Sequence, residues 1–169
     1  MSRLRAGVLV LAAAVLAASV FLAGRARGGE SLQPGGFVPS TISLSLSEAS
    51  PFRATGGGGR ERVFTSVIRA EVTTTVPVQL SVADGEVSSG RRLGHLVQGS
   101  SVLSPALEAQ AGAGGYRPLD ATPPPELKRW GQPLSLETTK VRLRQRAPDA
   151  GALRGHRKLV LVTLTAGGP

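Results

Sequence analysis

Hydrophobic residues recur at every second position through much of this chain. That period marks strands with one face on a core and the other in water. In residues 41–47, Ile42, Leu44 and Leu46 alternate with Ser43, Ser45 and Ser47. Residues 63–75 are dense in Val, Ile, Phe and Thr, which suit a pleated, half-buried surface. Val78, Leu80 and Val82 then alternate with Gln79 and Ser81 until Asp84 and Gly85 punctuate the run. Pro77 cannot donate to a ladder and so marks a strand boundary or a sheet edge, with two consecutive strands expected here. Further on, Val141, Leu143 and Gln145 alternate with Lys140, Arg142, Arg144 and Arg146. The last run, 158–166 (KLVLVTLTA), is apolar at consecutive positions, as suits a strand paired centrally or buried on both faces. Residues 95–99 and 106–111 read as short strands, the second equally as a helical turn from its Ala, Leu and Glu content.

Strands separated by turns, with no convincing helical period, predict an all-β antiparallel sandwich of about seven to nine strands. Aromatic residues make up only 4% of the chain, so its core is expected to be aliphatic, with Phe52, Phe64 and Trp130 as the large anchors. The 169 residues suit one domain with accessory segments.

The first twenty-seven residues follow a different pattern. Arg3 and Arg5 precede an uncharged run from Ala6 to Gly24, and Arg25 and Arg27 follow it. Such a segment is a targeting signal or an anchor, standing outside the fold. Gly24 and Ala26 place small residues where a signal peptidase would cut after Ala26. The length of the run instead approaches the ~20 residues that span a bilayer as a helix. Both readings export the rest of the chain, which is expected to be secreted or held at the cell surface, with membrane contact only through residues 6–24 if uncleaved. Residues 1–26 are therefore assigned to the signal or anchor, 27–40, rich in Gly, Pro and Ser, to a flexible linker, and 41–169 to the sandwich.

Cysteine is absent, which removes disulfides, thiolate catalysis, thiolate metal sites and a lipoprotein anchor together. The 20 Lys and Arg against 11 Asp and Glu give a net charge of +9. From Lys140 to the end, Lys140, Arg142, Arg144, Arg146, Arg154, Arg157 and Lys158 face a single acid, Asp149. Because side chains alternate along a strand, the first four share one face, spaced about 6.5–7 Å apart. On an outer strand such a row also blunts edge-to-edge aggregation. These seven residues are the candidate surface for an anionic envelope polymer, against the plainer reading of a solvated strand face. Another surface protein is the other partner considered. Specific nucleic-acid recognition is not expected, since the segment lacks stacking aromatics and only Tyr116 and Trp130 are available elsewhere.

The order of several short motifs resembles a family of exported all-β domains from high-GC soil bacteria. The matching stretches are SLSLSEASPF (43–52), LSVAD (80–84), HLVQGS (95–100), SPALEAQA (104–111), VRLRQ (141–145), DAGALRG (149–155) and LVTLTAGGP (161–169). The resemblance covers most of the chain after residue 40 and implies an immunoglobulin-like sandwich with no known activity. The sequence departs from the family's pattern at its end, where Ala166, Gly167 and Gly168 stand in place of threonines.

No catalytic constellation or cofactor site emerges from the sequence. A hydrolytic triad needs a nucleophile held against an oriented base, whereas His95 and His156 each sit beside a Gly-containing turn. The glycine run 56–59 lacks the Gly-Lys-Ser/Thr ending of a phosphate loop and reads as a flexible loop. Asp84 and Glu86 supply too few oxygens for Ca²⁺, and a plain Asp-Gly turn accounts for them. The expected role is a non-catalytic, structural or adhesive module of the cell envelope. The alternatives are a polyanion- or glycan-binding module using the Lys140–Arg146 face, with Trp130 as a further candidate contact, and an envelope enzyme of unfamiliar type.

Overall fold

The computed structural model describes residues 8–14, 39–59 and 61–167. The protein is all-β, with no helix among these residues. Two sheets face each other as a sandwich. The first has the order β1 (Val8–Ala14), β12 (Lys158–Ala166), β5 (Val78–Asp84), β10 (Glu126–Trp130). The second runs β2 (Ile42–Leu46), β4 (Glu61–Thr74), β11 (Leu134–Ala147), β8 (Glu108–Ala111), β9 (Arg117–Pro118). Strand β3 (Arg53–Gly58) also pairs with β4. A small hairpin, β6 (Val97–Gln98) with β7 (Ser101–Val102), is bridged through Val97 to Arg157, just before β12. All pairings are antiparallel except that of β1 with β12.

The alternation read from the sequence sets the two faces. In β4, Phe64, Ser66, Ile68, Ala70, Val72 and Thr74 are buried while their neighbours face out. In β11, Thr139, Val141, Leu143, Gln145 and Ala147 point inward. The opposing sheet contributes Val78, Leu80, Val82, Val160, Val162 and Leu164, and Trp130 and the loop residues Leu107 and Leu119 complete the main core. A second cluster of Phe64, Leu96, Ala147 and Leu153 closes one end.

Several expectations are revised by the structure. The glycine run is not simply a loop, because β3 continues to Gly58 and forms a hairpin with β4. Gly57 has φ of 121°, and a Cβ there would lie 2.5 Å from the Glu61 carbonyl oxygen, so only glycine fits. Chain 47–50 stays bonded to the same edge of β4, through Ser47 N to Arg69 O and Ser50 N to Val67 O, so β2 and β3 act as one interrupted partner. Within residues 106–111, Glu108–Ala111 form strand β8 rather than a helical turn. Strand β12 lies between β1 and β5, the central placement its composition predicts.

Over Val8–Ala14 the backbone is extended and runs parallel to β12, with Val8 opposite Lys158 and Ala14 opposite Leu164. This differs from the helix expected for the hydrophobic leader. A parallel strand obtains there the full set of ladder bonds that the open edge of β12 offers. The proposed cleavage point after Ala26 and nearly all of the proposed linker 27–40 lie outside the described residues.

Candidate functional site

Of the seven cations singled out, the structure brings four together. Lys140, Arg142, Arg144 and Arg146 project from the outer face of β11. The strand itself is not an edge strand. It is flanked along most of its length by β4 and over 141–144 by β8, so protection against edge-to-edge pairing is not what its charges provide.

The register adds cations that the linear reading missed. Lys140 lies directly opposite Arg69 of β4, and Arg144 opposite Thr65, whose other neighbour is Arg53 of β3. Along Arg53, Val63–Thr73, Thr138–Arg146 and Glu108–Gln110, the outward rows hold six cations: Arg53, Arg69, Lys140, Arg142, Arg144 and Arg146. Only Glu71 and Glu108 oppose them. Strands lie about 4.8 Å apart. Like charges placed directly across, as Arg69 and Lys140 are, work against sheet stability. Arg69 is out of phase with Ile68 and Ala70, so the period-2 pattern of β4 contains the signal, but only the register reveals its neighbour.

These cations differ in how they are held. The Arg144 guanidinium Nε donates to Glu108 Oε2 at 2.7 Å, and its carbon lies 3.8 Å from the centroid of the Tyr116 ring. The hydrogen bond it donates to Glu108 raises the Arg144 pKa above the ordinary arginine value. Arg142 Nη1 donates to the Gly112 carbonyl at 3.4 Å. Among the described residues, no carboxylate lies within ion-pair distance of Arg53, Arg69, Lys140, Arg142 or Arg146.

The remaining three cations are elsewhere. Arg154 and Arg157 are exposed in the turn before β12 and on its first approach, at the loop end of the sandwich. Lys158 is withdrawn from the candidate polyanion surface, since its side chain is 1% exposed and its Nζ lies 2.6 Å from Asp84 Oδ2. Its phase explains this: Lys158 falls in step with Val160, Val162 and Leu164 and so points into the sandwich. Trp130 is also unavailable to a glycan, because its ring is part of the core, with Lys128 Nζ 4.6 Å from the ring centroid.

Asp84 forms the expected turn and does more. Its Oδ1 accepts from the backbone N–H of Glu86 at 2.8 Å and of Val87 at 3.2 Å, while Oδ2 accepts from Gly94 N at 2.7 Å. Lys158 Nζ also donates to Glu86 Oε2 and to the Arg92 carbonyl, each at 3.2 Å. Two adjoining clefts of about 490 and 420 Å³ border this cluster and share Glu86 and Val87.

Both histidines are hydrogen-bonded, His95 close by in sequence and His156, which is buried, to a residue far from it along the chain. His95 Nδ1 pairs with the Leu103 carbonyl at 2.7 Å. His156 Nε2 lies 3.3 Å from Ser101 Oγ, but its Nδ1, the atom an orienting carboxylate would hold in a triad, is buried without a partner among the described residues. Comparison with protein-family models, with curated proteins and with solved structures finds no match.

Proposed function

We propose that this chain is an exported, non-catalytic module of immunoglobulin-like type that adheres to an anionic polymer of the cell envelope. The supporting observation is the outer face of the second sheet where, from Val63 to Thr73 of β4 and along its neighbours β3, β11 and β8, six cations stand against two carboxylates. Five of those cations have no ion-pair partner among the described residues, so their charge is available to a phosphate or carboxylate polymer. Arginine suits such a ligand because its planar fork bonds two oxygens at once. The leader of residues 1–26 supports export, and the absence of cysteine is compatible with a domain held by packing rather than disulfides.

The test is co-sedimentation of the purified protein with isolated bacterial cell wall at low and high salt. Binding is expected at low salt and should fall steeply as salt rises, because exposed charges are screened beyond about 8–10 Å near physiological ionic strength. Charge reversal of Arg69 and Arg142 together should abolish it. Undiminished binding by that variant would overturn the adhesive reading and leave a purely structural module with a solvated sheet face.

A further inference from the structure

We propose that Lys158 and Asp84 become joined by an amide bond between Nζ and Cγ, formed by the protein itself with Glu86 as the proton carrier. The two side chains meet at 2.6 Å with each 1% exposed, and they tie the end of β5 to the start of β12. A buried ion pair must offset a large desolvation cost for both charges. Conversion to an amide removes both charges from the interior and leaves only neutral groups to be satisfied.

The partners around the pair fit this step. After a proton passes from the ammonium to Oδ2, the neutral amine retains two N–H bonds and one lone pair. Glu86 Oε2 and the Arg92 carbonyl accept those two N–H groups, which leaves the lone pair toward Asp84. On the acid, the N–H groups of Glu86 and Val87 both point at Oδ1. Two such donors stabilise the oxyanion of a tetrahedral intermediate.

In the reaction, Nζ attacks Cγ and the carbonyl electrons move onto Oδ1. The Glu86 carboxylate takes a proton from Nζ and returns it to the hydroxyl at Oδ2. The Cγ–Oδ2 bond then breaks and water departs. One C–N bond forms, one C–O bond breaks, and no oxidant or external reactant is needed. The 490 Å³ cleft, lined by Asp84 and Glu86, gives the water an exit. Glu86 is suited to shuttle protons because its side chain reaches the buried amine while remaining 35% exposed.

The experiment is tryptic digestion and mass spectrometry of the purified full chain. The linked protein should yield residues 70–91 joined to residues 158–169, lighter by one water than the two peptides together, with cleavage after Lys158 blocked. The Glu86→Gln variant should fold, as judged by its circular dichroism, and yield the two segments unlinked. Lys158→Arg, which keeps the charge but has no amine to acylate, provides the unlinked standard. Recovery of the two segments as separate, unmodified peptides from the wild-type chain would overturn the proposal. Equal linkage in Glu86→Gln would overturn the role given to Glu86.

Discussion

Arg144 sits over the Tyr116 ring, its guanidinium carbon 3.8 Å from the ring centroid, while its Nε reaches Glu108 at 2.7 Å. One side chain thus pins the β9 approach and β8 to the middle of the sheet. This half-buried, doubly engaged arginine acts on stability, whereas its neighbour Arg142 makes only one long bond to a carbonyl. Arg144→Ala should lower unfolding stability by about 1–2 kcal/mol. Arg142→Ala should stay within about 0.5 kcal/mol of wild type. Urea denaturation of the two variants checks the contrast, and polyanion binding should rank them in the opposite order.

The main strands were legible because each has one polar face. β2, β4, β5 and β11 show period-2 alternation, and their inward rows are the core. The exceptions have physical reasons. Glycine carries no side chain to alternate, so β3 was hidden in the run at 56–59, where hairpin pairing with β4 overrides weak strand propensity. β10 follows Pro123, Pro124 and Pro125 and contains Lys128 and Arg129, a composition that gives little sign of a strand. The basic row on β11 could be read directly, but Arg53 and Arg69 join it only through cross-strand register, which no local window contains. Lys158 was assigned to the surface from its charge, although its phase with Val160 and that of Asp84 with Val82 already place both on inward rows.

Gly94 has φ of 72°, and a Cβ there would fall 2.4 Å from the Asp120 amide nitrogen. Its own N–H donates to Asp84 Oδ2. Gly99 has φ of 59° but open space around it. Gly99→Ala should cost about 1–2 kcal/mol, the ordinary penalty for a left-handed residue with a Cβ. Gly94→Ala should cost distinctly more, because the clash is with backbone and cannot be relieved by a rotamer change. Thermal melts of the two variants separate the conformational cost from the steric one.

Glu126 and Arg129 form an exposed ion pair at 2.7 Å, three residues apart on strand β10. The hydrogen bond from Arg129 holds the Glu126 carboxyl below the usual glutamate range. A depressed acid stabilises the fold above its unfolded pKa and loses that contribution as pH falls through the folded value. The pair therefore helps at neutral pH and ceases to help in acid. Carboxyl-detected NMR titration should find Glu126 titrating low in the wild type and moving up to the normal range in Arg129→Ala.

The Lys158–Asp84 contact allows a prediction about variants in which the amide cannot form. Removing one member of a buried charged pair leaves the other uncompensated, at a cost of about 3–5 kcal/mol. Measured against Lys158→Arg, which keeps the pair charged and unlinked, Lys158→Met should show a loss of this size, since Asp84 keeps three backbone donors but has its charge sealed in a site that is 1% exposed. Adding Asp84→Asn removes the charge while a carbonyl oxygen remains to accept from Glu86 and Val87. The double variant should therefore be more stable than Lys158→Met alone, by about 1–3 kcal/mol. Denaturant unfolding of both variants measures the difference. If the second substitution makes the protein less stable still, the hydrogen bonds to Asp84 outweigh its uncompensated charge, and the carboxylate acts chiefly as the cap that shapes the 84–94 turn.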